Sequence, residues 1–395
     1  MKRISHCLIL SLLFFLPFSL SARDVDPAFG DTIDRTADDF VIASVCIADP
    51  TDWSDDILGV AGHAFIRLQC PSFNLDYCFS YEGERINDNL NKYLNGKTKM
   101  GMFAVPTDEY LQDYRDWNRT VSEYRLNLPA DSKQRLWEIM DNHLTGGIVL
   151  RQDLNKYGCA ITVVRYVKKA LAGTPIVYAP DEQLANLTRR EIGYRSMRNH
   201  PWIRLAYMLF TDNSYDRNCP LDEKLIVPAD LPQVWQRATV EGRQLAAYSG
   251  DIVQGATLAD NKPWFTPMLV AILMLVITIA LSFTRFSKYW EYFLLAIQTL
   301  GGLYLIYLWL VMSEYGSSMY LLMILINPLP AILWKWRKYY SLVYAALLLI
   351  GTITLACLPH MLVDPAMLVL ALSYVVMYCK TGGISKLLPK KKIGQ

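Results

Sequence analysis

The apolar residues of this chain gather at its two ends, and that distribution decides what it can fold into. Five apolar segments follow one another near 265–283, 292–313, 319–334, 341–358 and 364–379. The longer ones approach the roughly 20 residues that a helix needs to cross a bilayer, and the third and fifth are shorter. The loops between them alternate in charge. Arg285 and Lys288 follow the first segment, Lys335, Arg337 and Lys338 the third, and Lys380, Lys386 and Lys390 to Lys392 the fifth. The other two loops hold only Glu314, and then His360 with Asp364. Because basic loops stay in the cytoplasm, the pattern predicts about five transmembrane helices with a cytoplasmic C-terminus and the preceding domain outside. Trp264, Trp290, Trp334 and Trp336 stand at segment ends, where indole rings suit the interface. Asn327-Pro328-Leu329-Pro330 interrupts the third segment, either lining a cavity or kinking a packed helix. No run of carboxylates or histidines crosses the segments, which disfavours an ion pathway.

The other end agrees independently. Lys2 and Arg3 precede an apolar run from Cys7 to Leu20, with Ser19, Ser21 and Ala22 near its end, the pattern of a secretory signal. The expected organisation is a signal over 1–22, an exported α+β domain over 23–262, a transmembrane helical domain over 263–380 and a basic cytoplasmic tail over 381–395. A net charge of +2 without a basic tract in the exported part gives no reason to expect nucleic acid. The exported part holds Cys46, Cys70, Cys78, Cys159 and Cys219, an odd set that leaves at least one thiol unpaired in an oxidising compartment. Cys70 and Cys78 flank a turn and are placed to close a hairpin; pairing among Cys46, Cys70, Cys78 and Cys219 stays open. There is no CxxC or CxxH spacing to suggest a zinc site, and no metal or cofactor is expected.

Within the exported domain, residues 40–47 form a continuous apolar run suited to a central strand. In residues 61–69 alternation puts Ala64, Ile66 and Leu68 on one face and His63, Phe65 and Arg67 on the other. Leu75, Tyr77, Phe79 and Tyr81 alternate next, residues 100–105 form another short strand, and 121–128 alternate again. Helices are expected from Thr107 to Trp117, from about Leu128 to His143, and around 181–194, 200–211 and 231–245. The sum is an antiparallel sheet with helices packed on it.

The chemistry concentrates at Gly158-Cys159. From Ala160 the apolar residues Ala160, Val163, Val164, Val167, Ala170 and Leu171 recur at helical spacing, so Cys159 sits in the first turn. There the helix dipole and unpaired amides stabilise a thiolate. A thiol nucleophile needs a base, and His63, directly after a glycine on a strand, is the best-placed histidine. His143 is expected to be solvated at a helix end, and His200 to fill or cap before Pro201. Ser80, Glu82 and Tyr77, on the following strand, are candidates to orient the imidazole. Arg67 is placed either to hold a phosphate or headgroup or to form an internal ion pair.

Histidine before cysteine resembles the permuted branch of the papain-like, NlpC-type thiol enzymes. More narrowly, Gly62-His63-Ala64-Phe65-Ile66-Arg67-Leu68, then Tyr93-Leu94-Asn95-Gly96-Lys97, Tyr124-Arg125-Leu126-Asn127-Leu128, Tyr157-Gly158-Cys159-Ala160 and Asn199-His200-Pro201-Trp202 through Asp216-Arg217 resemble, in order, the Lnb-type N-terminal periplasmic domain. That resemblance covers about residues 40–240. It implies a multi-pass inner-membrane lipoprotein N-acyltransferase with its catalytic domain on the periplasmic side. Cys159 would take an acyl chain from a phospholipid with His63 as base, pass it to a diacylglyceryl lipoprotein, and meet substrate beside Tyr157 and Arg67. Two other readings are carried alongside: a cysteine hydrolase of phospholipid esters or cell-wall peptides, and a non-catalytic envelope sensor.

Overall fold

The computed structural model describes residues 24–25, 32–51, 59–83, 99–147, 150–151, 158–211, 213–256, 263–311, 325–357 and 363–383. The signal segment, residues 93–97, Tyr157 and the tail beyond residue 383 lie outside the described residues.

β1 (Ile42–Ala48) is apolar almost throughout and buried on both faces, which makes it a central strand. It pairs on one side with β2 (His63–Cys70) and on the other with β5 (Val121–Leu126). β3 (Leu75–Gly83), β4 (Lys99–Pro106) and the two-residue β6 (Leu150–Arg151) extend one edge, and β7 (Ala246–Val253) forms the other. The result is a seven-stranded sheet in the order β7-β5-β1-β2-β3-β4-β6, antiparallel at every pairing.

Both faces of the sheet are covered. Ala64, Ile66 and Leu68 of β2, with Phe79 and Tyr81 of β3, meet the apolar sides of α2 (Ala130–Thr145) and α3 (Cys159–Ala170) in the larger core. The opposite face, to which alternation assigned His63, Phe65 and Arg67, carries a second core. There Phe65, Cys46, Cys78 and Val121 pack under Tyr110, Leu111 and Tyr114 of α1 (Thr107–Asp116). Cys70 falls in the first core and Cys78 in the second, because residues on one strand and the next point to opposite faces at those positions. They therefore do not close the hairpin, and every described cysteine is a free thiol.

The expected helix over 231–245 ends at Trp235. Glu241 and Gly242 both take positive φ, 50° and 76°, giving the tight two-residue turn that joins Thr239–Val240 to Arg243–Gln244. The chain then enters β7, an edge strand whose alternation is interrupted by a register shift at Gly250.

The described residues between 263 and 383 form an apolar helical region. α4 (Arg189–Ser196) and α5 (Pro201–Phe210) of the sheet domain lead to it, followed by α6 (Pro267–Ser282), α7 (Ser287–Val311), α8 (Arg337–Cys357) and α9 (Pro365–Thr381). Among the described residues, one stretch, Trp334–Cys357, is long and apolar enough to cross a membrane by length and composition; Pro267–Ser282 and Pro365–Thr381 are apolar but shorter. The first part of the third expected segment, residues 319–324, lies outside the described residues. Its Asn327-Pro328 break packs onto α7, where a Cβ on Gly302 would stand 2.7 Å from the Asn327 Cα. Glycine at that position is what lets the two backbones approach. Leu205 and Leu209 of α5 pack into the helical cluster built on Leu294, Leu348 and Tyr374. A polar knot reinforces that contact. Asp364 caps α9, accepts from the Tyr194 hydroxyl at 3.2 Å and pairs with Arg204 at 3.6 Å.

Gly62 sets where β2 begins. Its φ is +86°, and a Cβ there would stand 2.8 Å from the Ala48 carbonyl oxygen. Gly62→Ala is expected to cost about 2 kcal/mol through the left-handed backbone and that contact, read as a lowered melting temperature of the full chain.

Candidate active site

Two element starts meet here. Gly158 ends its loop in an extended conformation (φ −62°, ψ 153°), and α3 opens at Cys159 without a side-chain cap. The Thr162 amide closes the first turn on the Gly158 carbonyl at 2.9 Å, so the amides before it have no carbonyl within the helix. On the sheet side, β2 pairs with β1 right up to His63 opposite Ala48. Its pairing with β3 stops earlier, at Ile66 opposite Phe79, although β3 runs on to Gly83. The unpaired corner receives the thiol. Cys159 hydrogen-bonds with the His63 side chain and takes the main-chain amides of Ala64 and Ala160.

This geometry shifts both groups toward a thiolate and an imidazolium. Burial pushes the Cys159 thiol upward, but the His63 charge, the hydrogen bond from His63 and the two amides outweigh it and hold the thiol below its ordinary value. For His63, burial acts downward, and the Cys159 thiolate and the Glu82 carboxylate more than offset it, so its pKa lies above the ordinary histidine value. The two groups titrate as a unit and stabilise a thiolate–imidazolium pair. Burial pushes Cys46, Cys70, Cys78 and Cys219 the other way, Cys78 up to about 12. Cys159 is thus the reactive thiol of this set.

The ring of His63 is held from behind. Its Nε2 lies 2.8 Å from Ser80 Oγ and 3.7 Å from Glu82 Oε1. With Nε2 so engaged, Nδ1 is the ring nitrogen available to the thiol. Two of the three proposed orienting residues are therefore in place. The third, Tyr77, pairs with Leu68 and packs against the larger core on the other face of the sheet, away from the imidazole.

Arg67 shares the His63 face but is committed elsewhere. It binds Asp76 through two nitrogens, Nε to Oδ1 at 2.9 Å and Nη2 to Oδ2 at 2.5 Å, and reaches both Glu123 oxygens at 3.2 and 3.3 Å. These carboxylates take up the guanidinium fork and raise its pKa, with the Asp76 hydrogen bond the leading cause. The internal ion pair expected as one alternative is the one observed. His143 is also not solvated, since its Nδ1 meets the Tyr166 hydroxyl and its ring lies near Tyr81.

Three neighbours had no sequence signal pointing to the site. Tyr110 and Tyr114, four apart on α1, read only as a helix core face. Arg119 stacks on the Tyr114 ring, 5.2 Å from its centroid, and binds the Asp49 carbonyl. No protein-family model, curated protein or solved structure matches this chain.

Two outcomes follow. In alkylation of the full chain followed by peptide mass spectrometry, Cys159 should react at lower pH than the other thiols. His63→Ala should raise the midpoint of its profile and slow the reaction at pH 7 by about tenfold or more. Arg67→Ala should leave that profile unchanged yet cost about 3 kcal/mol of stability, because it strands two carboxylates.

Proposed function

We propose that this chain is a membrane-anchored thiol acyltransferase. It moves a fatty acyl chain from a phospholipid, through a thioester on Cys159, to the N-terminal amine of a diacylglyceryl lipoprotein. The observation that carries this reading is the Cys159 thiol, hydrogen-bonded to His63 and held below its ordinary pKa, on a domain whose α5 packs directly onto apolar helices. The histidine-then-cysteine order on strand and helix start supports a permuted papain-like arrangement. The ordered resemblance to Lnb-type segments supports the acceptor and a multi-pass inner-membrane location with five spans and the catalytic domain outside.

The steps follow from the two charges. The Cys159 thiolate attacks the ester carbonyl of the phospholipid, forming a carbon–sulfur bond and a tetrahedral oxyanion. The free main-chain amide of Cys159 at the helix start is suited to accept that charge. On collapse the carbon–oxygen bond breaks, and His63 gives its proton to the departing lysophospholipid alkoxide. The neutral imidazole then takes a proton from the incoming α-amine as it attacks the thioester. Expulsion of the thiolate leaves the amide and restores the thiolate–imidazolium pair. No redox partner or metal is required for this balance. Apolar helices packed against α5 of the same domain favour an acyl donor and acceptor that both reside in lipid. A soluble wall peptide would need no such support.

Mass spectrometry of lipoprotein N-termini tests this in cells that depend on the chain. Wild type should yield N-acylated termini, while Cys159→Ala and His63→Ala should leave the diacylglyceryl form with a free amine. N-acylated termini in both variants would overturn the proposal. Free fatty acid release without N-acylation by the wild type would transfer the same thiol chemistry to a hydrolase.

A further inference from the structure

Behind His63 the polar atoms form a closed count. The Nε2 of His63 lies 2.8 Å from Ser80 Oγ. A serine hydroxyl that accepts there keeps one proton to donate, and Ser80 is hydrogen-bonded to Tyr110. Tyr110 in turn donates to Glu82 Oε1, and its oxygen lies 3.2 Å from the Tyr114 hydroxyl. Each hydroxyl then has one direction open to it, set by the carboxylate at the end, which can only accept. Ser80 is 1% exposed and Tyr110 9%, so water does not compete at these two hydroxyls, while the Glu82 side chain at the end of the path is 40% exposed.

We propose that Ser80, Tyr110 and Glu82 form a one-way hydrogen-bond relay that keeps a proton on His63 Nε2 and turns Nδ1 toward Cys159. Tyr110 and Glu82 are thereby positioning residues for the chemistry of Cys159. The relay curls back on itself, since Glu82 Oε1 also lies 3.7 Å from His63 Nε2 and adds its charge there. The carboxylate thus acts twice, directly on the imidazolium and through the hydroxyls on the ring's orientation. The other groups facing His63 are Cys159 from α3, which stabilises its cation, and Arg119 from the segment after α1, which opposes it. From α1, Tyr114 stacks on Phe65 and Tyr110 meets it edge-on, and the Phe65 ring stacks with the imidazole at a centroid separation of 6.2 Å. Those contacts explain why α1 packs on this face. They do not require a hydroxyl on Tyr110 or a charge on residue 82.

The inference rests on the Cys159–His63 reading of the site and not on the identity of the acyl acceptor, so its test uses no acyl transfer. The full chain in detergent is alkylated over a range of pH, and modification of the Cys159 peptide is followed by mass spectrometry beside a melting curve. Glu82→Gln should raise the midpoint of the Cys159 profile by about one pH unit. Tyr110→Phe and Ser80→Ala should raise it as well, with melting close to wild type for Tyr110→Phe. A wild-type profile in folded Glu82→Gln and Tyr110→Phe would overturn the relay. So would a shift confined to Ser80→Ala, because positioning would then end at Ser80. If Glu82→Gln fails to fold, Tyr110→Phe and Ser80→Ala decide together by the same shift. Shifted profiles in the relay variants, together with N-acylated lipoprotein termini in Cys159→Ala and His63→Ala, would sustain the relay while refuting the acyl acceptor proposed above.

Discussion

The contact between the first residue of a strand and the first residue of a helix is what the site depends on. His63 and Cys159 are 96 positions apart in the chain. They meet because β2 outruns its pairing with β3 and α3 begins at that open corner. The larger core makes the meeting reproducible. Ala160, Val163, Val164 and Val167 hold α3 against Ala64, Ile66 and Leu68, which are the alternate residues of the strand that carries the histidine. Burying such side chains is worth about 1.5–3 kcal/mol each for the larger ones, enough to offset the cost of desolvating a thiol and an imidazole together. The charges then stabilise each other where neither would be favoured alone.

The second constraint is attachment. The sheet domain is joined to the apolar helices by packing of Leu205 and Leu209 and by Asp364, which caps α9 while accepting from Tyr194 and pairing with Arg204. A carboxylate buried to 3% exposure is costly unless it is this fully partnered. Asp364 therefore ties the orientation of the sheet domain to the start of one helix. The acyl transfer proposed above would need that fixed relation more than hydrolysis of a soluble substrate would.

Much of the fold was legible because period and punctuation coincide. The apolar run at β1, the alternation through β2 and β3, and the glycine before Cys159 each left a local trace, and each element formed where it was expected. Cys159 and His63 were legible for the same reason, one at a helix start and one after a glycine with φ of +86°. The misses have a common cause. Phe65, Tyr110 and Tyr114 look like ordinary core residues along the chain, and only the second core beneath α1 brings their hydroxyls and rings to the imidazole. Tyr77 and Ser80 sit on one strand three positions apart, so alternation alone sends them to opposite faces. Only Ser80 and Glu82 share the face of His63. Arg67 left two readings open in the sequence, and Asp76 on β3 together with the distant Glu123 on β5 settled it.

The central claim is that Cys159 carries the acyl group. Full-length protein incubated with phospholipid vesicles and no lipoprotein acceptor, then quenched in acid, gives the most direct measurement. Peptide mass spectrometry should find a fatty acyl mass on the Cys159 peptide that hydroxylamine removes, and that is missing from His63→Ala. An acyl group on another residue, or none on Cys159 while phospholipid is consumed, would contradict the account.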